Sequence, residues 1–207
     1  MHWDILDEKR KEILPYFLEL KKYGFYLAGG TALALIIGHR DSIDFDFFTE
    51  QEFDTEKLFD NLVTIFSPHE IKRTQVEKNT LSILVDGHIK ISFFTYKYIL
   101  LEKTIQTEYF EIASLSDIAC MKVNAVVNRA TLKDYVDLYF ILKLKTLAEI
   151  MESLKIKMPE LDTLLALKSI IYFEDIDADE PIIFKTEKIS LKEIKTFLTK
   201  EVKEIVS

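Results

Sequence analysis

Cysteine occurs once in these 207 residues, at Cys120, which excludes an internal disulfide framework and a cysteine-based zinc site within one chain. Glycine (5) and proline (4) are scarce and no polar tract interrupts the chain, so a disordered or fibrous protein is excluded. The single tryptophan, Trp3, sits near the start, and the linear sequence offers no aromatic platform for stacking bases. An excess of positive charge is also missing. With 27 Lys and Arg against 35 Asp and Glu, the net charge is −8, so any contact with nucleic acid has to be local and cation-assisted. The longest apolar stretch, Phe25 to Gly38, is broken by Gly29 and Gly30 and falls short of the ~20 residues that span a bilayer. The opening residues are charged where a signal peptide needs an apolar run, so the expectation is a cytoplasmic protein with no membrane association. At 48% hydrophobic, the chain has enough apolar content for a real core.

Periodicity divides the chain into two parts. Leu6 to Tyr23 has helical spacing, with Pro15 placed to kink or split it. Phe25 to Ala28 is a short strand that stops at the Gly29-Gly30 pair, and Thr31 to Ile37 is a helix stopped by Gly38. Ile43 to Phe48 alternates apolar and acidic residues as a strand, Thr55 to Phe66 is a helix, and Glu70–Val76, Thr80–Val85 and His88–Thr95 are strands. Asp86-Gly87 makes a turn between the last two strands. After Lys97 the pattern becomes helical: Leu115–Asn128, Thr131–Leu144, Leu147–Leu154, Glu160–Ser169 and Leu191–Ile205, with an acidic loop (Glu174, Asp175, Asp177, Asp179, Glu180) between the last two. The expected fold class is therefore α+β: residues 1–97 carry a small mixed sheet and residues 98–207 form a helical part.

Two short stretches carry chemistry. In the first, Gly29-Gly30-Thr31 lies between a strand and a helix. Glycines there let a ligand approach backbone N–H groups, and a helix start attracts phosphate, although many such turns bind nothing. Downstream, Asp44 and Asp46 are two apart on a strand and share one face, while Ile43, Phe45 and Phe47 face the core. Two carboxylates about 7 Å apart at the backbone can converge on Mg²⁺, which takes oxygen ligands and keeps positions for phosphate. The alternative is a solvated acidic face, but Asp is disfavoured in strands and like charges repel, which leaves a cost without a cause.

In the second stretch, Lys122 and Arg129 are two helical turns apart and share a face, suited to a polyphosphate. The residues alone read more readily as exposed cations paired with Asp117 or Asp134. Asp134 and Asp137 are neighbours on one helix and can equally be acids at a helix start. His39 reads as a hinge or packing residue, and Cys120 as core.

Together these motifs resemble the DNA polymerase β-type nucleotidyltransferase superfamily, with its Gly-Gly helix followed by Asp-x-Asp. More narrowly, Gly29-Gly30-Thr31, Gly38-His39-Arg40 and Asp44-Phe45-Asp46-Phe47-Phe48 resemble the AbiEii/AbiGii abortive-infection toxin family. The ordered block Leu115, Lys122, Arg129, Asp134, Asp137 and the stretch Tyr172-Phe173-Glu174-Asp175 are similar to that family as well. The resemblance spans the chain from about residue 25 onward. It implies an N-terminal nucleotidyltransferase fold and a helical C-terminal part, with the active cleft between them. It further implies Mg²⁺-dependent transfer of an NMP from an NTP to an acceptor hydroxyl, the acceptor being RNA, in particular tRNA, and a separate antitoxin protein opposing the toxin. The catalytic residues are then Asp44, Asp46, Lys122 and Asp134, with Asp44 and Asp46 on the metal. Gly29, Gly30, Thr31, Arg40, Arg129 and Asp137 would bind substrate.

One position departs from the superfamily pattern. A third carboxylate is expected on a later strand, where this chain has Ser92, and Asp86 lies six residues back in a turn. A general base is then missing from its usual place, so Asp134 or the substrate must help, or activity is reduced. Two rival functions remain: transfer to a small aminoglycoside-like molecule, which an acidic protein would attract, and a degenerate transferase acting as a binding module.

Overall fold

The computed structural model describes residues 1–177 and 180–206. Asp179 of the acidic loop lies outside the described residues. Helix α1 (Glu8–Ile13) is capped by Asp7, whose side chain accepts from the Arg10 N–H, and Pro15 stands at the start of a 3₁₀ helix over Leu14–Tyr23. The expected helix is thus split where proline removes a donor. Gly24 ends it in the left-handed region.

β1 (Tyr26–Ala28) leads directly into α2 (Gly29–Ile37), so both glycines belong to the helix, which begins two residues earlier than its pattern suggests. Gly38 closes α2 in the left-handed conformation. β2 (Phe45–Thr49) pairs antiparallel with β1; Asp44 stands just before it, and Ile43 is solvent-exposed rather than in the core. The strand pattern fails at Ile43 because the chain there is still in the connection from α2. α3 (Thr55–Ile65), capped by Asp54, is followed by the antiparallel run β3 (Ile71–Glu77), β4 (Thr80–Val85) and β5 (Ile89–Thr95).

The sheet continues beyond residue 97. β6 (Ile105–Gln106) and β7 (Glu111–Ile112) pair with each other, and β7 runs parallel to β1. These two-residue strands carry too little alternation to show in the sequence. The order across the mixed sheet is β3-β4-β5-β2-β1-β7-β6, with β2 and β5 parallel neighbours. On one side Phe45, Phe47 and Phe93 are fully buried, and Phe17 of the 3₁₀ helix packs edge-on against Phe45 and Phe47.

Helices α4 (Leu115–Asn128), α5 (Leu132–Ile141), α6 (Leu147–Lys157), α7 (Thr163–Ile170) and α8 (Leu191–Val206) follow. α4 is the hub, packing on α2, α5, α6 and α7. Ser114 caps it, and buried Asp117 in its first turn meets buried Lys157 of α6 at 2.7 Å. Tyr135 of α5 donates to the backbone carbonyls of Ser169 and Tyr172 and packs on Phe173, so the Tyr172–Asp175 stretch is held to α5. One apolar core joins the sheet and the helices. No helix among the described residues is long and apolar enough to cross a membrane.

Candidate active site

A cavity of about 760 Å³ opens between the sheet and the helices. The N-terminus of α2 (Gly29, Gly30), Asp44 and Asp46, and Lys122, Arg129 and Asp134 all line it, together with Arg40, although the last residues lie some eighty positions down the chain. Thr31 and Asp137, two further expected substrate-binding residues, are not on its wall.

The two aspartate pairs have opposite surroundings. Asp46 is pushed above the usual carboxylate range, first by burial and then by the charge of Asp44; Lys90, Lys122 and Arg129 offset this only in part. Its Oδ2 lies 3.3 Å from where a Cβ on Gly29 would stand, a tight approach, and Gly29 has φ +75°, so the backbone there favours glycine. The start of α2 therefore lies close against the Asp46 carboxylate, and the Asp44–Asp46 repulsion remains.

Asp134 and Asp137, by contrast, are compensated. Lys122 Nζ lies 3.0 Å from Asp134 Oδ1 and 2.5 Å from Asp137 Oδ2. Arg129 donates from Nε and Nη2 to Asp134, and the Thr131 hydroxyl adds a bond at 2.8 Å. Asp137 is fully buried and accepts from Arg40 Nε and Nη2 at 2.7 and 2.8 Å, with His39 Nε2 2.7 Å from its Oδ1. Burial opposes ionisation of both acids, but Lys122 with Arg129 holds Asp134 below the usual range, and Lys122 with Arg40 holds Asp137 well below it. For His39 burial outweighs Asp137 and lowers its pKa, and its ring packs on Phe140.

This geometry corrects several expected roles. Lys122 is buried, and its ammonium is committed to two carboxylates rather than free for a triphosphate. Asp137 is fully buried off the cavity wall, with its oxygens bonded to Lys122, Arg40 and His39. Thr31 donates to Ser42 Oγ at 2.9 Å and to the Asp44 carbonyl, so its hydroxyl fixes the loop carrying Asp44. A Cβ on Gly30 would meet Arg40 Nη2 at 2.8 Å and Ser42 Oγ at 3.1 Å. Glycine at 30 therefore makes room for Arg40, a role separate from any ligand. Asp86 caps the β3–β4 edge through His69 and the Glu70 N–H, and it is not on the cavity wall.

Ser92 is directly beside Asp46 in the β2–β5 register, as the strand alignment required, and bonds Ser82 Oγ at 3.1 Å. Two residues back on the same face stands Lys90, an exposed cation on the cavity wall that sequence reasoning did not select. Lys133, which pairs with Glu180 at 3.1 Å, was missed as well. The parallel β2–β5 pairing would have pointed to Lys90, but pairing between strands is not visible in the linear sequence. Ala130 takes φ +46° between α4 and α5, a costly conformation for a residue with a Cβ, in the turn that brings Arg129 and Thr131 to Asp134.

Two carboxylates with open space before them and uncompensated repulsion fit a hard divalent cation. No group of three or more His, Cys, Asp or Glu able to hold a metal occurs among the described residues. Asp44 and Asp46 would therefore hold such an ion with help from water or substrate oxygens.

The architecture defines the class. The fold is that of nucleotidyltransferases: MenT4, a nucleotidyltransferase toxin of Mycobacterium tuberculosis H37Rv, superposes with TM-score 0.65 at 14% identity, covering 96% of this chain and 82% of that one. JHP933 of Helicobacter pylori gives TM-score 0.53 at 16% identity over 97% and 98%. Residues 17–205 match the family described as Nucleotidyl transferase AbiEii toxin, Type IV TA system. The chain is also 38% identical, over 87% of both lengths, to an uncharacterized protein, aq_aa25, of Aquifex aeolicus strain VF5. The chain belongs to the AbiEii nucleotidyltransferase toxin family, and it is a nucleotidyltransferase.

Proposed function

We propose that this toxin transfers an NMP from an NTP to a hydroxyl of RNA, such as the acceptor end of a tRNA, with Asp44 and Asp46 holding Mg²⁺, and that a separate antitoxin protein restrains it. The observation that carries the reading is the uncompensated Asp44–Asp46 pair sharing one cavity with the N-terminus of α2 and the Lys122–Asp134 network. Mg²⁺, when bound, supplies charge neutralisation at the reacting phosphate. The N–H groups of Gly29 and Gly30 and the partly exposed Arg129 and Lys133 bind the outer phosphates of the NTP. Lys122 adds positive potential to that end while keeping Asp134 and Asp137 ionised.

The acceptor oxygen forms a bond to the α-phosphorus as the bond to pyrophosphate breaks. Asp134 is a poor general base, because its pKa is lowered and its oxygens already accept from Lys122, Arg129 and Thr131. With Ser92 in the third-carboxylate position, the proton of the acceptor hydroxyl passes to a phosphate oxygen of the substrate.

The test is incubation of the protein with each α-labelled NTP, Mg²⁺, and either total RNA or aminoglycosides. Labelled RNA supports the reading, labelled aminoglycoside replaces the acceptor, and label on neither with no NTP binding makes the chain a binding module.

A further inference from the structure

The cavity has a second end, with different chemistry from the phosphate-binding one. β1, β2 and β5 are in register, so Tyr26, Phe48 and Phe94 form one cross-strand row, two residues beyond the Ala28–Asp46–Ser92 row that holds the dyad. Phe48 and Phe94 stack at 5.2 Å with 29° between their planes, and Tyr96 stands edge-on to Phe48 at 5.7 Å. Phe45, Phe47 and Phe93 point to the opposite face and are fully buried, so the core already has its filling. Phe48, Phe94 and Tyr96 are partly exposed on the cavity wall, which Met121, Asn124 and Ala125 of α4 also line, while Phe48 and Tyr96 pack against the core from that side. Four residues before Phe94 on the same face, Lys90 adds an exposed cation near the dyad.

Building on the proposed transfer reaction, we infer that this aromatic floor seats the terminal bases of a single-stranded nucleic-acid acceptor, with Lys90, across the dyad row, adding a cation for the phosphates of the strand. In an in-line displacement the attacking group and the leaving pyrophosphate stand on opposite sides of the reacting phosphorus. Pyrophosphate belongs at the α2 N-terminus with Arg129 and Lys133, which leaves the Phe48–Phe94 side to the acceptor. Aromatic faces stack any base, whereas a polycationic small molecule would need carboxylates on the Phe48–Phe94 side of the dyad. The same arrangement explains how a protein of net charge −8 grips nucleic acid: the contact is a stack and a local cation, not bulk attraction.

The experiment uses anisotropy of a fluorescein-labelled single-stranded RNA 12-mer, a blunt duplex of the same length, and each of the four mant-labelled NTPs with Mg²⁺. Phe94→Leu keeps the apolar packing and removes the aromatic face, and thermal melting verifies its fold. Expected is about tenfold weaker binding of the single strand, a matching rise in KM for RNA, and mant-NTP affinity within about twofold of wild type. Phe94→Tyr should restore the affinity. Lys90→Gln should weaken single strand and duplex alike and lower the salt dependence by about one counterion. Wild type that transfers to RNA while Phe94→Leu binds the strand unchanged overturns the acceptor seat and leaves the transfer reaction standing. Wild type that labels aminoglycosides and not RNA overturns both.

Discussion

Two aspartate pairs stand at one cavity, the second with only Asp134 on its wall, and they have opposite fates. Asp134 and Asp137, three apart on α5, are saturated by Lys122, Arg129, Arg40 and His39 and held below the usual carboxylate range. Asp44 and Asp46, two apart at the start of β2, have no direct ion-pair partner among the described residues, and Asp46 is pushed upward by burial and by its neighbour. The contrast between a compensated pair and a strained one is what supports the proposed cation site at Asp44 and Asp46. The saturated pair is architecture: it ties α2, α4 and α5 around the site, and it positions the helices that carry Arg129 and Lys133.

Mutations that strip each pair sharpen the contrast. Asp137→Ala leaves Lys122, Arg40 and His39 clustered without their common acceptor; the loss expected in urea unfolding is about 3–5 kcal/mol, independent of Mg²⁺. Asp46→Asn should do the reverse to stability, raising it by about 0.5–1 kcal/mol in metal-free buffer by removing a like-charge repulsion. The same change should lower NMP transfer by about a hundredfold or more, read as label incorporation into acceptor. Ser92→Asp adds a third carboxylate beside Asp46: transfer with Mg²⁺ should rise by about tenfold, while thermal stability without metal should fall.

A pH series separates the pairs more gently. The lowered pKa of Asp137 means its stabilisation is present above the ordinary value of 3.8 and disappears as pH falls below it. The raised pKa of Asp46 has the opposite sign: its ionisation opposes folding at neutral pH, and protonation relieves that cost as pH falls toward 3.8. The stability gained by Asp46→Asn should therefore shrink between neutral pH and about pH 4, where the loss in Asp137→Ala persists. Melting curves of both variants and wild type across that range check this.

Much of this was legible in the sequence, and the exceptions have physical reasons. Leu115–Asn128 has both its bounds in its pattern, because Ser114 supplies a cap and the apolar spacing is regular. The α+β class and the Asp44–Asp46 pair follow from alternation and from the Gly29-Gly30 break. β6 and β7 could not be read, since two residues hold no period and their pairing with β1 is a tertiary fact. The sequence left Lys122 open between a polyphosphate and a pairing with Asp117 or Asp134, for a related reason. Sequence spacing places Lys122 and Asp134 on neighbouring helices, but only their packing determines that Lys122 spends its charge on Asp134 and Asp137. No aromatic platform shows in the linear sequence, and only the register of β2 and β5 gathers Phe48, Phe94 and Tyr96 on one wall. Pairings between distant elements decided each of these, and local pattern does not encode them.

The central claim is that Asp44 and Asp46 are the cation site of the transfer reaction. Titration with Mn²⁺ in the presence of NTP, followed by electron paramagnetic resonance of the free ion, measures it without depending on the acceptor. The account predicts saturable binding by wild type that disappears in Asp46→Asn, with both proteins folded to the same thermal transition or a higher one for the variant. Binding of Mn²⁺ to Asp46→Asn as tight as to wild type would contradict it.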